Sequence, residues 1–312
     1  MNRKKVCNKW AWRVCLTAAL LLAATTGWTA AETITTTTTG QVALAEGDSL
    51  AVQNGGTVAV STEDEDAIGV KGDGTTESSP CDQPPANPDW FLNDNMVTID
   101  AGGMIDVAAV GTAAYGGTEI FARGLIPLDG NTITNNGTIS ASAKHEADDG
   151  NTSTRAWAFG MQTADSGVNN ITNNGLIQVT AQGLSGGGLS YSSANARAAG
   201  IQVGHAGEGT VVNTGTIDVE ATSVDGLARS LGIKLNYESN VDVTNSGMVD
   251  VYGYSENTDA ISVGVKGTYR SGGSIINKAG GLITVLTESG GGEVVAKGIQ
   301  LGDDSGADKG YL

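Results

Sequence analysis

The chain holds 312 residues, with 34 acids against 17 bases and a formal net charge of −17. All the acids but only twelve of the bases follow residue 31, so that part carries about −22, which argues against nucleic acid as a partner because phosphates need Lys and Arg to displace their counterions. Five Trp, seven Tyr and three Phe against 46 Gly are a poor supply for a compact globular core, and Cys81, alone beyond residue 31, excludes an intrachain disulfide there.

Residues 1–13 carry Arg3, Lys4, Lys5, Lys9 and Arg13 and no acid, Val14 to Ala24 is an apolar run, and Thr29-Ala30-Ala31 supplies small residues before a cut after Ala31. A basic head, a short apolar middle and a small-residue exit predict a secretory signal peptide over 1–31. The apolar run is about half the roughly 20 residues that a membrane-spanning helix needs. Residues 32–40 follow as a Thr-rich leader, and 41–302 as a run of repeats. The run is interrupted at 73–95 by Pro80, Pro84, Pro85 and Pro88 together with Cys81, Trp90 and Phe91. A Pro-rich stretch does not fit a central strand, so this is read as a protruding loop on which Trp90 and Phe91 either meet a partner or fold back over the core. Residues 303–312 read as an acidic tail at which the repeat is cut short.

Two motifs alternate through the repeats. The first, Asn-x-Gly-x-Ile/Val, occurs at 135–139, 173–177, 213–217 and 245–249, in longer form at 277–283, and in degenerate form at 54–58 and 100–105. The second centres on Gly69, Gly124, Gly160, Gly200, Gly232, Gly264 and Gly298, each followed by an apolar residue, at spacings that drift between 32 and 55. Between the turns, apolar and polar residues alternate over four to seven positions, the period of a half-buried strand. In residues 241–265, for instance, Val241, Val243, Val249, Val251, Ile261, Val263 and Val265 are assigned inward and Ser262 outward. Asn and Gly are placed at the turns for their tolerance of positive φ. Three short strands per repeat, with no helical period, predict an all-β right-handed parallel β-helix of about seven coils. A propeller or a sandwich of hairpins is the alternative, and it is disfavoured because each Asn-x-Gly corner is followed by one partner strand and then a loop of 10–18 residues. Stacked coils bring corner asparagines above one another, and Asn136, Asn174, Asn213 and Asn245 are the predicted ladder.

No catalytic constellation assembles. Gly47-Asp48-Ser49-Leu50 matches the first block of GDSL esterases, but neither histidine has the acid three residues ahead of it that the chemistry needs: Ser142 precedes His145 and Gln202 precedes His205. Gly183-Leu184-Ser185-Gly186-Gly187 lies in a Gly/Ser stretch without the strand-to-helix elbow of an esterase nucleophile. The acidic groups Glu63-Asp64-Glu65-Asp66 and Asp303, Asp304 and Asp308 have no metal-loop spacing, and no metal or cofactor is predicted. A β-helical polysaccharide enzyme needs acids and bases gathered on one strand face. The twelve bases read as scattered, so the chain is predicted not to be an enzyme.

The leader, the Asn-x-Gly-x-Ile repeats and the near absence of cysteine resemble the N-terminal passenger region of type V autotransporters of the adhesin or pertactin-like kind. The resemblance covers nearly all of 32–312 and is one of repeat style. It implies export through the Sec translocon, help from the outer-membrane assembly machinery, and a place on the cell surface or in the medium, attached to the outer membrane where a C-terminal barrel is encoded. No barrel-type strands with aromatic girdles occur here. The implied function is a virulence-type adhesin or stalk acting on an unidentified host or cell-surface ligand. A polysaccharide-active β-helix enzyme, a GDSL-type esterase and a two-partner secreted filament are the alternatives.

Overall fold

A computed structural model of the chain describes residues 30–72, 92–113, 118–147, 154–163, 167–185, 194–268 and 271–302. Residues 1–29 of the signal peptide predicted over 1–31, together with Cys81, Trp90, Phe91 and the tail 303–312, lie outside the described residues. All regular structure among the described residues is β.

The chain winds through eight coils of three strands. Coil 1 is β1 (Ala31–Ile34), β2 (Thr37–Thr39) and β3 (Val42–Leu44), and coil 2 is β4 (Ser49–Val52), β5 (Thr57–Glu63) and β6 (Ala67–Gly72). A two-residue strand, β7 (Leu92–Asn93), precedes coil 3, which is β8 (Met96–Ile99), β9 (Met104–Ala113) and β10 (Thr118–Leu125). β11 (Pro127–Asp129) pairs with β7 and leads into coil 4, β12 (Thr132–Asn135), β13 (Thr138–Ala147) and β14 (Thr154–Gln162). Coil 5 is β15 (Gly167–Asn173), β16 (Leu176–Ser185) and β17 (Ala194–Val203), and coil 6 is β18 (Gly207–Asn213), β19 (Thr216–Ser223) and β20 (Ala228–Leu235). Coil 7 is β21 (Asn240–Asn245), β22 (Met248–Ser255) and β23 (Ala260–Gly267), and coil 8 is β24 (Ile275–Asn277), β25 (Leu282–Ser289) and β26 (Val294–Leu301). The first, second and third strands of the coils form three eight-stranded parallel sheets, I, II and III. At the usual strand spacing the stack is about 34 Å long. There is one coil more than the seven expected, because the Thr-rich stretch forms β1 and β2 instead of a leader. β1 starts at Ala31, so a cut after that residue would remove its first position.

The interior is filled by columns of like side chains. Ile105, Ile139, Ile177, Ile217 and Val249 lie one above another in sheet II, all fully buried. Further along the same strands Ala109, Ala143, Ala181, Ala221 and Gly253 form a column of small residues. Sheet III answers it with Ala67, Ala122, Ala158, Ala198, Ser230 and Ser262. Space explains both choices: a Cβ on Gly253 would stand 2.5 Å from Ser262 Oγ. Small residues let sheets II and III close against each other.

The repeated glycine of sheet III breaks the strand parity. In β17 the inward residues are Ala196 and Ala198, then Ile201 and Val203, so Gly200 absorbs one position. The ladder passes from Ala199↔Leu231 to Ile201↔Ile233 without pairing the glycine between them. A Cβ there would lie 2.3 Å from Ile217 Cγ2 and 2.7 Å from the carbonyl oxygen of Gly232 in the next coil. This corrects the simple alternation read for coil 7. Ser262 is fully buried and faces inward, its hydroxyl accepting from Ser230 at 2.9 Å. Ile261 and Val263 belong instead to a second apolar cluster, with Phe159, Ala199 and Leu231, on the other side of sheet III.

The corner glycines also have a different cause from the one expected. In the regular copies Gly137, Gly175, Gly215 and Gly247 do not have positive φ. They are glycine because a Cβ would stand 2.1–2.2 Å from the carbonyl of the corner glycine one coil earlier. The corner amides continue the ladder, as when Gly175 N donates to Asn135 O at 2.9 Å and Leu176 N to Gly137 O at 2.9 Å. Among the corners, positive φ appears at Gly55 and Gly102 of the degenerate copies and at Gly280 of the longer one.

Two tests follow from this packing. Gly200→Ala should lower stability by about 1–3 kcal/mol through overpacking. Gly298→Ala, where a Cβ meets nothing within 4 Å, should shift the urea midpoint little. Equal effects would contradict the packing role of the column. Ser262→Asp places a charge in the closed interior and should cost several kcal/mol, whereas Thr132→Asp on an exposed position should stay within about 0.5 kcal/mol. A tolerated Ser262→Asp would restore the uncorrected register.

Candidate functional site

The four asparagines predicted as one ladder fall into two columns. The inner column is Asn135, Asn173, Asn213, Asn245 and Asn277. Each amide nitrogen donates to the carboxamide oxygen of the next, at 2.8, 2.8, 2.7 and 2.7 Å. The first four also reach a backbone carbonyl of the next coil, as Asn213 Nδ2 does Met248 O at 3.2 Å, whereas Asn277 Nδ2 donates to Gly281 O of its own coil at 3.0 Å. The outer column is Asn136, Asn174 and Thr214, where Asn174 donates to Asn136 at 2.9 Å and Thr214 to Asn174 at 2.7 Å. Asn213 and Asn245 are thus buried, while Asn174 is exposed. A further buried chain, Asn95, Asn131 and Asn169, stands where sheet III turns into sheet I. No shared motif in the sequence marked it. Removing Asn213 strands a donor on Asn173 and an acceptor on Asn245, so Asn213→Ala should cost about 2–3 kcal/mol of stability. Thr214→Ala beside it should cost less than about 1 kcal/mol, and the two urea midpoints give the comparison.

The motifs weighed for catalysis lie in different parts of the coil stack. Asp48 accepts from Ala30 N at 2.8 Å and Ala45 N at 3.1 Å, and Gly47 has φ 80°, so Gly47-Asp48-Ser49 is the turn that opens β4. His145 is buried on β13 of sheet II, where desolvation holds its imidazole below the usual range, and His205 follows β17. Gly183 and Ser185 close β16, and the residues after them lie outside the described set. Among the acids read as solvated, Asp64 Oδ1 accepts from Thr112 N at 2.7 Å, and Asp66 holds Phe121 N at 3.1 Å and Arg123 at 3.4 Å. No group of three metal-ligating side chains occurs among the described residues.

The scatter of bases is corrected by the fold. Eight of the twelve bases beyond residue 31 stand on strands of sheet III: Lys71, Arg123, Arg155, Arg197, Arg229, Lys234, Lys266 and Lys297. Glu119 is the one acid on those strands. Sheet II reverses the balance, with Lys144 against seven acids, among them Asp106, Asp218, Glu220 and Asp250. Asp218 and Asp250 are neighbours in register, and burial followed by the charge of Asp250 raises the carboxyl of Asp218 above its usual range.

The outer face of sheet III has an aromatic and guanidinium stack at its centre. Phe121, Trp157, Arg197, Arg229 and Ile261 share one column through successive coils. The Phe121 and Trp157 rings are 5.4 Å apart, and the Arg197 guanidinium lies 4.2 Å from the Trp157 centroid. Arg123 covers Phe121 at 4.1 Å and donates from Nε to Gln162 at 2.8 Å. Arg155, more exposed, pairs with Glu119. Desolvation, with Arg229 and Arg155 close by, lowers the Arg197 guanidinium to about 10. Stacking on aromatic faces suits arginine because its plane is weakly hydrated and its edge keeps N–H donors.

No protein-family model, curated protein or solved structure matches the chain.

Proposed function

We propose that the chain is an exported β-helical passenger that acts at the cell surface as an adhesin or stalk, without catalysis. The observation that carries this reading is the segregation of charge over a rigid rod: a basic sheet III and an acidic sheet II on an acidic chain. A surface of one sign along a periodic solenoid binds and steers partners without any reacting group. The basic, apolar and small-residue order of 1–31 supports export, and the repeat style supports the autotransporter-like reading. Passage through the Sec translocon and the outer-membrane assembly machinery belongs to the same proposal.

Expression in a Gram-negative host, followed by fractionation and N-terminal sequencing, tests it. The expected product lacks the leader and is cleaved by protease added to intact cells. A full-length product confined to the cytoplasm would contradict the proposal.

A further inference from the structure

We infer that His145 is an acid-sensitive latch: its protonation loosens the corner between sheets II and III in coil 4 while the serine-tied corners of later coils hold.

Three observations of geometry carry this. The first is position. His145 is 1% exposed on the inward side of β13, in line with Ile139, Ala141 and Ala143. Among the described residues it is the one ionisable side chain buried on an inward column.

The second is the column it stands in. Its neighbours in register are Gly111 and Gly183, and the column continues through Ser223, Ser255 and Ser289. The serines fasten this corner to the coil before. Ser255 Oγ donates to Gly226 O at 3.0 Å and accepts from Thr258 N at 3.2 Å. Ser289 Oγ donates to Thr258 O at 2.6 Å and accepts from Gly292 N at 2.8 Å, and Ser223 serves Ala194 O and Gly226 N in the same way. In coil 4 an imidazole takes the place of that hydroxyl. Its bulk fits because the neighbours are glycines: a Cβ on Gly111 would stand 3.1 Å from His145 Cδ2.

The third is the far side of the corner. A Cβ on Gly183 would stand 2.3 Å from Ala194 O, and Ala194 pairs with Thr154, so the column of His145 meets that of Thr154. Thr154 Oγ1 is buried and has no hydrogen-bond partner among the described residues. The corner therefore closes on packing, without the serine ties of coils 6 to 8.

The surrounding charges leave the imidazole to its burial. Neither glycine has a side chain to answer a proton. β16 carries no ionisable group, and β9 carries only Asp106, further back along the strand and paired with Ser140. On β13 itself Lys144 and Glu146 pair with each other, as do the exposed Glu119 of β10 and Arg155 of β14. Arg123 of β10 and Arg197 of β17 stack on Phe121 and Trp157 on the outer face. Asp64, after β5, is already held by Thr112 N at 2.7 Å and Thr112 Oγ1 at 3.3 Å. Desolvation lowers the imidazole below its ordinary range and outweighs a hydrogen bond with the backbone of Glu146 and the charge of Asp64, which both raise it. A histidine held neutral in the fold contributes stability that is complete above its ordinary pKa of about 6.5 and is lost as pH falls through and below that value.

The test is amide exchange of the full chain at pH 7.5 and pH 5.0, corrected for the intrinsic rates. Protection at 143–147, the end of β13, should fall at least about fivefold at pH 5.0. Protection at 219–223, the serine-tied end of β19, should change less than about twofold. His145→Ser gives coil 4 the residue of coils 6 to 8 and should abolish the acid response, whereas His205→Ser should leave it in place. Ring NMR of the parent supplies a readout that needs no variant: the His145 imidazole should stay neutral below the pH at which a free histidine takes its proton. Protection at 143–147 that ignores pH, a loss that persists in His145→Ser, a loss shared equally by β19, or ordinary titration of the His145 ring would each overturn the inference.

Discussion

Every feature of this protein depends on one constraint: each coil must lie in register on the one before it. The backbone ladder runs through the strands and through the corners between sheets I and II, so a side chain at a given position always has the same position above and below it. Side-chain choice is therefore made by column. Isoleucine repeats where the interior is wide, alanine and serine where sheets II and III close, glycine where a carbonyl of the neighbouring coil occupies the space of a Cβ. Asparagine repeats at the corner because its amide both donates and accepts, so it can pass a hydrogen bond up the stack indefinitely.

The same constraint explains what the sequence made legible. Strand period and corner motif needed only local alternation, and both were readable. The ladder was readable in kind but not in membership: Asn135 and Asn136 are adjacent, and nothing local says which of them turns inward. The neighbouring Asn-x pairs raise the same ambiguity at Asn173 and Asn174. The glycine of sheet III was seen as a repeat marker, yet its effect on parity was hidden, because a strand that skips a position looks locally like one that does not. Hence Val263 read as core and Ser262 as surface, where the structure has Ser262 inside. The first coil was missed for a simpler reason, as an unbroken run of Thr has no alternation to read.

The charged face was the least legible part. Arg155, Arg197 and Arg229 are separated by long stretches in sequence, and only stacking brings them to one side. A count of bases along the chain loses this, while a count by sheet recovers it. Stacking also converts isolated residues into interactions: Trp157 becomes a platform because Arg197 sits in register one coil away. A solenoid can thus build a long chemical surface from residues that have no motif in common.

In-register stacking is tested most directly by disulfide mapping at a corner. In a chain whose three native cysteines are replaced by serine, Asn174→Cys and Thr214→Cys place thiols at positions whose side chains now share a hydrogen bond of 2.7 Å in successive coils. With coils about 4.8 Å apart, the pair is within disulfide reach. The account predicts rapid oxidation of this pair to a monomeric disulfide and none for Asn174→Cys with Ser246→Cys, two coils apart. Oxidation of the second pair in preference to the first would contradict the stack.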